Sequence, residues 1–286
     1  MAKFLFYMVL FLMVTTFSAV DSRPVIPKDL VLYWSFDNPT VKGKAVKDVL
    51  GKRDGRLEGN PKVSAGKFGQ GLEFDGKSDF ATMDQIDLGD FTVEAWFKAL
   101  SAPGTWSRVF DFGKGGPGDF FVTPNHGRTG NDIAGGCHFS GGGRVDFGSG
   151  EKTKVGTWYH VALSFDKDGE GIKLYLNAEM KKHEKFNKES FEDWGEGQNW
   201  YLAKANWGDP LFPGVIDEFR IYSRALSDKE IKQNMGAAGL SVTASNQKLV
   251  EIWGNLKVLK KADHNSHSNI LRESMEVISE GQFFNH

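Results

Sequence analysis

Carboxylates, imidazoles and indoles are the side chains of this sequence best placed to do chemistry, and their spacing narrows what that chemistry is. Glu189, Glu192, Asp193 and Glu196 form the densest acidic cluster. Hydrolysis of a glycosidic bond with retention needs two carboxylates about 5–5.5 Å apart, which on one strand means acidic residues two or four positions apart. This cluster instead lies among Trp194, Gly195 and Gly197, the composition of a solvated loop. No Gly-x-Ser-x-Gly nucleophile elbow occurs, and His126, His138 and His160 lack the spacing of a metalloprotease helix. Cys137 stands beside His138, but a single cysteine in such surroundings reads as a buried free thiol rather than a nucleophile. His160, on the strand face opposite Val161, reads as a packed or hydrogen-bonded histidine. On residue types alone, an enzyme is the less favoured class.

Binding has better support. Sugar sites combine aromatic faces with a few polar groups that fix orientation. Trp106, Trp194, Trp200 and Trp207 lie in or beside segments containing Gly and Pro, and Arg108, His126, Arg128 and Asn131 lie in nearby segments. Any one of these tryptophans is explained as well by packing at the edge of a core, but together they outline a ligand surface. The candidate ligand-binding set is Trp106, Arg108, His126, Arg128, Asn131, Trp194 and Trp207. The partner class is carbohydrate or glycoprotein.

The elements that must position these residues are strands. Phe91, Val93, Ala95 and Phe97 alternate, as do Tyr159, Val161, Leu163 and Phe165, then Ile172, Leu174 and Leu176. This period of two marks half-buried strands. Leu30–Asp37 is a short apolar run, and Val215, Phe219 and Ile221 share parity in the segment 215–222. Gly-rich turn clusters separate these runs with no helix between them, the spacing of an antiparallel β-sandwich or jelly roll. One helix is expected: Ser227 and Glu230 form a capping box, with Gly236 as the stop. The fold class is therefore all-β, with one short C-terminal helix and a loosely attached tail.

Residues 1–18 have the plan of a signal peptide: Lys3, then an apolar stretch from Phe4 to Val14, then Thr16 and Ser18 at −3 and −1 of the cleavage site. That stretch is shorter than the roughly 20 residues of a membrane span, so the expected product is secreted or periplasmic, without stable membrane insertion. The chain of 286 residues has 35 Lys+Arg against 37 Asp+Glu; removing Lys3 leaves 34 against 37, near −3. That balance excludes a nucleic-acid binder, which needs a basic surplus. With one cysteine no intrachain disulfide forms.

Five segments occur in order: Gly66–Gly76, Phe91–Phe97, Gly156–Ala162, Ile172–Asn177 and Pro213–Leu226. Together they resemble the laminin-G-like jelly-roll domain of the concanavalin A-like lectin/glucanase superfamily, of the kind found in secreted bacterial proteins, over residues 29–238. The tail, 239–286, has no assigned role. Ala178 departs from the pattern, which favours glycine after Asn177. The glucanases of that superfamily carry a Glu-x-Asp-x-x-Glu run, which is missing here, so the resemblance implies recognition rather than hydrolysis. An atypical or degenerate glycoside hydrolase is the alternative. The resemblance also implies that the first and last strands are neighbours, bringing Asp37 towards Asp217. Strand parity points Asp217 to the core side, where a carboxylate must be paired, hydrogen-bonded or metal-bound. A structural calcium at Asp37 and Asp217 and a carboxylate satisfied by N–H groups alone are equal expectations.

Overall fold

Period-two alternation is realised as two antiparallel sheets packed face to face. The computed structural model describes residues 29–116, 118–185 and 189–237, and the proposed signal peptide and tail lie outside them. In chain order the strands are β1 (Leu30–Trp34), β2 (Val41–Lys42), β3 (Ala45–Val46), β4 (Gly55–Glu58), β5 (Lys62–Ala65), β6 (Gln70–Asp75), β7 (Phe80–Met83), β8 (Phe91–Ala99) and β9 (Phe110–Gly113). They continue as β10 (Asp119–His126), β11 (Asp132–His138), β12 (Arg144–Gly148), β13 (Trp158–Asp166), β14 (Gly171–Leu176), β15 (Glu179–Glu184), β16 (Asn199–Leu202) and β17 (Pro213–Tyr222). One sheet has the order β15-β14-β13-β8-β17-β6-β5, with β1 also paired to β17; the other runs β12-β11-β10-β9-β16-β7-β4-β3-β2. The first and last strands are neighbours, as expected.

The core lies between the sheets. Phe91, Val93, Ala95, Phe97, Tyr159, Val161, Leu163 and Phe165 face Phe110, Phe112, Phe120, Val122 and Trp200 across it. Cys137 is a buried core thiol. Helix α1 (Asp228–Met235) begins at the capping box: the Ser227 hydroxyl accepts the Glu230 N–H, and the Glu230 carboxylate accepts the Ser227 N–H at 2.9 Å. Gly236 has φ −87°, so its left-handed freedom is not used there. Asn177 and Ala178 both adopt positive φ, 52° and 61°, so the hairpin keeps its geometry with alanine in a place that favours glycine. Among the described residues no helix is long and apolar enough to cross a membrane.

The parity expected for β17 fails part-way along. Glu218 has φ 52°, and the register against β8 shifts between Asp217 and Arg220. This bulge inserts a residue and reverses the faces. Ile216, Phe219 and Ile221 join the core, whereas Val215 does not. Asp217, paired with Trp96 in register, therefore lies on the outer face of its sheet rather than on the core side.

That outer face is itself covered, by α1 and the segment around Phe68, and it holds buried charge. Glu218 accepts from Tyr33 Oη at 2.9 and 3.0 Å and pairs with Arg220, whose guanidinium reaches Asn234 O at 3.4 Å and Ala237 O at 3.1 Å. Glu94 lies 3.6 Å from Arg220 and 3.9 Å from His160. Burial pushes the Glu94 carboxyl up to about 7, against the pull of Arg220. Burial, with the Arg220 charge, pushes the His160 imidazole down to about 3.

These two shifts have opposite signs in stability. Folded Glu94 keeps its proton after the unfolded chain has lost it, so its contribution falls as pH rises from about 4.5 to about 7. Folded His160 refuses a proton that the unfolded chain takes, so its contribution falls as pH drops below about 6.5. In Glu94→Gln the first slope is removed. Urea unfolding across pH 4.5–7 should show the variant gaining on wild type as pH rises; parallel curves would contradict the assignment.

Candidate functional site

Along β9 and β10 the phenylalanines at even positions point inward, which forces Asp111, Asp119 and Phe121 onto the outer face. Register places them beside residues from neighbouring strands. Arg144, His138, Asp119 and Gly113 form one cross-strand row, and Asp146, Gly136, Phe121, Asp111 and Tyr201 form the next. Gly136 is required by its place in that row, since a Cβ there would lie 2.3 Å from the Phe121 ring.

Although it faces outward, this surface is partly roofed. Asp111 and Asp119 have no solvent exposure. Asp119 Oδ1 accepts the His138 backbone N–H at 3.0 Å and lies 2.7 Å from His138 Nδ1, while its Oδ2 accepts the Trp207 indole N–H at 3.4 Å. Asp111 accepts from Asn206 at 3.0 and 3.1 Å and lies 3.3 Å from Arg108. Burial and the charge of Asp119 push the Asp111 carboxyl up to about 6. Asp146 is held well below the usual carboxylate range. Its burial works against this, but it is outweighed by His126 at 3.0 Å and by the Arg144 Nε, 2.8 Å from both oxygens.

Above this polar floor lies a cleft of about 360 Å³ lined by Gly116, His138, Phe139, Gly142, Gly143, Arg144 and Trp207. Trp207 is 47% exposed, and its ring centroid stands 6.2 Å from that of His138. Three glycines leave bare backbone on the walls. The arrangement offers an aromatic face, a ring nitrogen and a guanidinium stem around a space of ligand size.

The sequence-based candidates divide sharply here. Trp207 lines the cleft. Trp106, part-exposed, packs on His126 at 4.4 Å and under the Arg144 guanidinium at 5.0 Å. Arg108 and His126 are buried and cannot touch a ligand directly. Arg108 covers the Phe121 ring at 4.1 Å and bonds to Trp106 O, so it supports the site from below. Arg128 and Asn131 are exposed on the β10–β11 turn and do not line the cleft; Asn131 supplies a positive φ of 62° there. Trp194 is corrected outright. It is 5% exposed and stacks on Phe120 at 5.1 Å, because a 3₁₀ turn at Phe191–Trp194 folds the glycine-flanked segment into the core. Trp200 is likewise buried, stacked on Phe112 at 4.5 Å. The cluster of Glu192 and Asp193 pairs with Lys167 on the surface.

Asp111, Asp119, His138, Arg144 and Asp146 were not among the candidates. For Asp111 the signal was present: an aspartate between Phe110 and Phe112 in a strand must face away from the core. What the sequence alone hides is the cross-strand register that gathers them.

Asp37 and Asp217 meet the segment 66–70 from two sides. Asp217 accepts the N–H groups of Lys67, Phe68 and Glu218 at 2.8, 3.0 and 2.8 Å, and Asp37 accepts that of Gln70 at 2.9 Å. Even so, burial and the Glu218 charge push Asp217 up to about 8, and burial raises Asp37. Backbone donors thus leave both poorly stabilised as anions, the condition that a cation relieves. Among the described residues no three His, Cys, Asp or Glu side chains converge as a metal site, so carbonyls or water would have to complete a calcium shell.

A family model described as the concanavalin A-like lectin/glucanases superfamily matches residues 74–232. The chain belongs to this superfamily. No curated protein matches it in sequence. Among solved structures it is similar to domain 4 of AbnA, an extracellular arabinanase from Geobacillus stearothermophilus solved with arabinotriose. The TM-score is 0.62 at 24% identity, over 72% of this chain and 98% of that domain. It is also similar to Trypanosoma rangeli sialidase in complex with 2,3-difluorosialic acid (TM-score 0.56, 16% identity, 76% of this chain and 35% of the sialidase). The botulinum neurotoxin type G receptor binding domain is similar at TM-score 0.52 and 13% identity, over 73% of this chain and 51% of that one. The chain spans about a third of the sialidase, and at these identities the likenesses show a shared fold.

Burial separates the roles of the two tryptophans. Trp194→Ala should cost about 3–5 kcal/mol of stability by leaving a core cavity, and Trp207→Ala should cost less, about 1–3 kcal/mol, by taking one donor from the buried Asp119 carboxylate. Denaturant midpoints of the two variants against wild type check this.

Proposed function

We propose that this protein binds carbohydrate, free or on a glycoprotein, through the cleft beside Trp207, without hydrolysing it. The observation that supports this most is the exposed Trp207 indole, tied by its N–H to a buried carboxylate at the edge of a ligand-sized cleft. An indole face so held can stack on the C–H face of a sugar ring at low entropic cost. The arabinotriose in the arabinanase domain is in keeping with this reading.

One observation favours a hydrolase: Asp111 and Asp119 are neighbouring carboxylates on adjacent strands, one with a raised pKa. Both, however, are fully enclosed and occupied by Asn206, Arg108, His138 and Trp207, which leaves neither free to reach a glycosidic oxygen. A glycan array should give hits that Trp207→Ala weakens at least about tenfold, as loss of a central aromatic contact does, with no release of reducing sugar from any hit. Hits untouched by Trp207→Ala would move the site elsewhere, and turnover would make the protein an enzyme.

The same reading includes export after cleavage at Ser18. N-terminal sequencing of secreted material should begin at Ala19; an intact Met1 in a membrane fraction would refute this.

We also propose a structural calcium held by Asp37 and Asp217 at the segment 66–70. Calcium that binds only the folded state must raise the thermal midpoint as its concentration increases. Wild type should show that rise, reversed by excess chelator, and Asp217→Asn should lose it. An unchanged midpoint in wild type, or a full shift in Asp217→Asn, would show the N–H groups to suffice.

A further inference from the structure

Arg144 is the lining residue of the cleft that carries a fixed charge, and its guanidinium is held from several sides. Register sets it opposite His138. Its Nε donates to both oxygens of Asp146 at 2.8 Å, and Asp146 is itself fixed by His126 at 3.0 Å. The guanidinium lies over the Trp106 ring at 5.0 Å. Trp106 sits at φ 70°, uncommon for a bulky residue. Its N–H is on Asn125 O at 2.8 Å and its ring packs on His126 at 4.4 Å. All these contacts use Nε or the face of the group. Neither terminal amino group donates a hydrogen bond to the described residues, and Nη2 is buried without a partner. An enclosed donor left unpaired costs free energy that an acceptor at the fork recovers.

The carboxylates nearby are already engaged. Asp146 has Arg144 and His126, Asp119 has His138 at 2.7 Å, and Asp111 and Asp209 share Arg108 at 3.3 and 3.6 Å. None of them lines the cleft, and Asp111 and Asp119 have no solvent exposure. What a ligand meets at the cleft surface is therefore the indole of Trp207, the ring of His138 and a guanidinium with donors to spare. Because Asp146 balances the charge of Arg144, the attraction on offer is a short directional contact rather than a long-range field.

We propose that the ligand of the cleft is a sugar acid, its ring on Trp207 and its carboxylate on the Arg144 guanidinium. This names the ligand class of the cleft and rests on the carbohydrate reading. A guanidinium fork matches the two oxygens of a planar carboxylate, and such charge-assisted bonds are roughly twice as strong as those to neutral hydroxyls. Trp106 and Asp146 are positioning residues here: they hold Arg144 and act through it.

The test uses the mature protein and matched probes: the strongest acidic oligosaccharide found on a glycan array, and the same oligosaccharide with its carboxylates methyl-esterified. Titration should show the ester binding at least about tenfold more weakly, the scale of a lost hydrogen bond to a charged group. Equal or tighter binding of the ester, or an array whose hits are all neutral, overturns the proposal and leaves the carbohydrate reading standing. An array without any hit, neutral or acidic, overturns that reading and the proposal with it.

Arg144→Gln should bring the acid down to the affinity of the ester, with the ester itself little changed. An acid advantage that survives in this variant removes Arg144 from the role. Should Arg144→Gln fail to fold, Arg144→Lys decides the point, since it keeps the charge beside Asp146 but loses the fork. There the acid advantage should shrink several-fold, and an unchanged advantage overturns the assignment.

Discussion

Asp119 carries a carboxylate into a place without solvent contact, and the cleft is built from what that carboxylate requires. A carboxyl group so buried must be given hydrogen-bond partners. It takes the backbone N–H and ring of His138 and the indole N–H of Trp207. Satisfying Asp119 therefore fixes two of the groups that a ligand would meet. Its place on the outer face is in turn forced by Phe120 and Val122, which alternate with it and belong to the core. A single alternation thus fills the sandwich and charges the surface above it.

The other sheet handles buried charge differently. There Arg220 ties Glu218 and Glu94 to the carbonyls at the end of α1, so a helix with one cap at its start is held at its far end by a guanidinium. Such a buried network is weak evidence for added stability, since desolvation offsets much of its attraction. Its consequence is geometric: it fixes where the helix lies on the sheet. The polar network of the cleft leaves Trp207 in solvent; that of the opposite sheet is closed over.

Much of this was legible in the sequence. The alternating runs at 91–97, 159–165 and 172–176 mark strands and core together, and the capping box at Ser227 places the helix. Two misreadings have physical causes. Val215, Phe219 and Ile221 share parity on paper, but the bulge at Asp217–Glu218 adds a residue, so Ile216 rather than Val215 reaches the core. The phase break from Ile216 to Phe219 is the only trace of it. Trp194 sits between glycines and acids, yet one 3₁₀ turn buries it against Phe120. The cleft was the least legible part. Asp119, His138, Arg144 and Trp207 come from three strands and a loop, and only the register of β9 to β12 brings them side by side.

For function, the consequence is a division of labour between touching and holding. In the proposed site Trp207 is the exposed group that would touch a ligand, and Asp119, Arg108 and His126 hold the surface around it. That division is tested most directly by a crystal structure of the mature protein with a bound oligosaccharide. The account predicts a sugar ring lying over the exposed Trp207 indole, with polar groups directed at His138 and Arg144 and no direct contact to Asp119. A sugar seated on the segment around Trp194, or on the outer face of the opposite sheet, would contradict it.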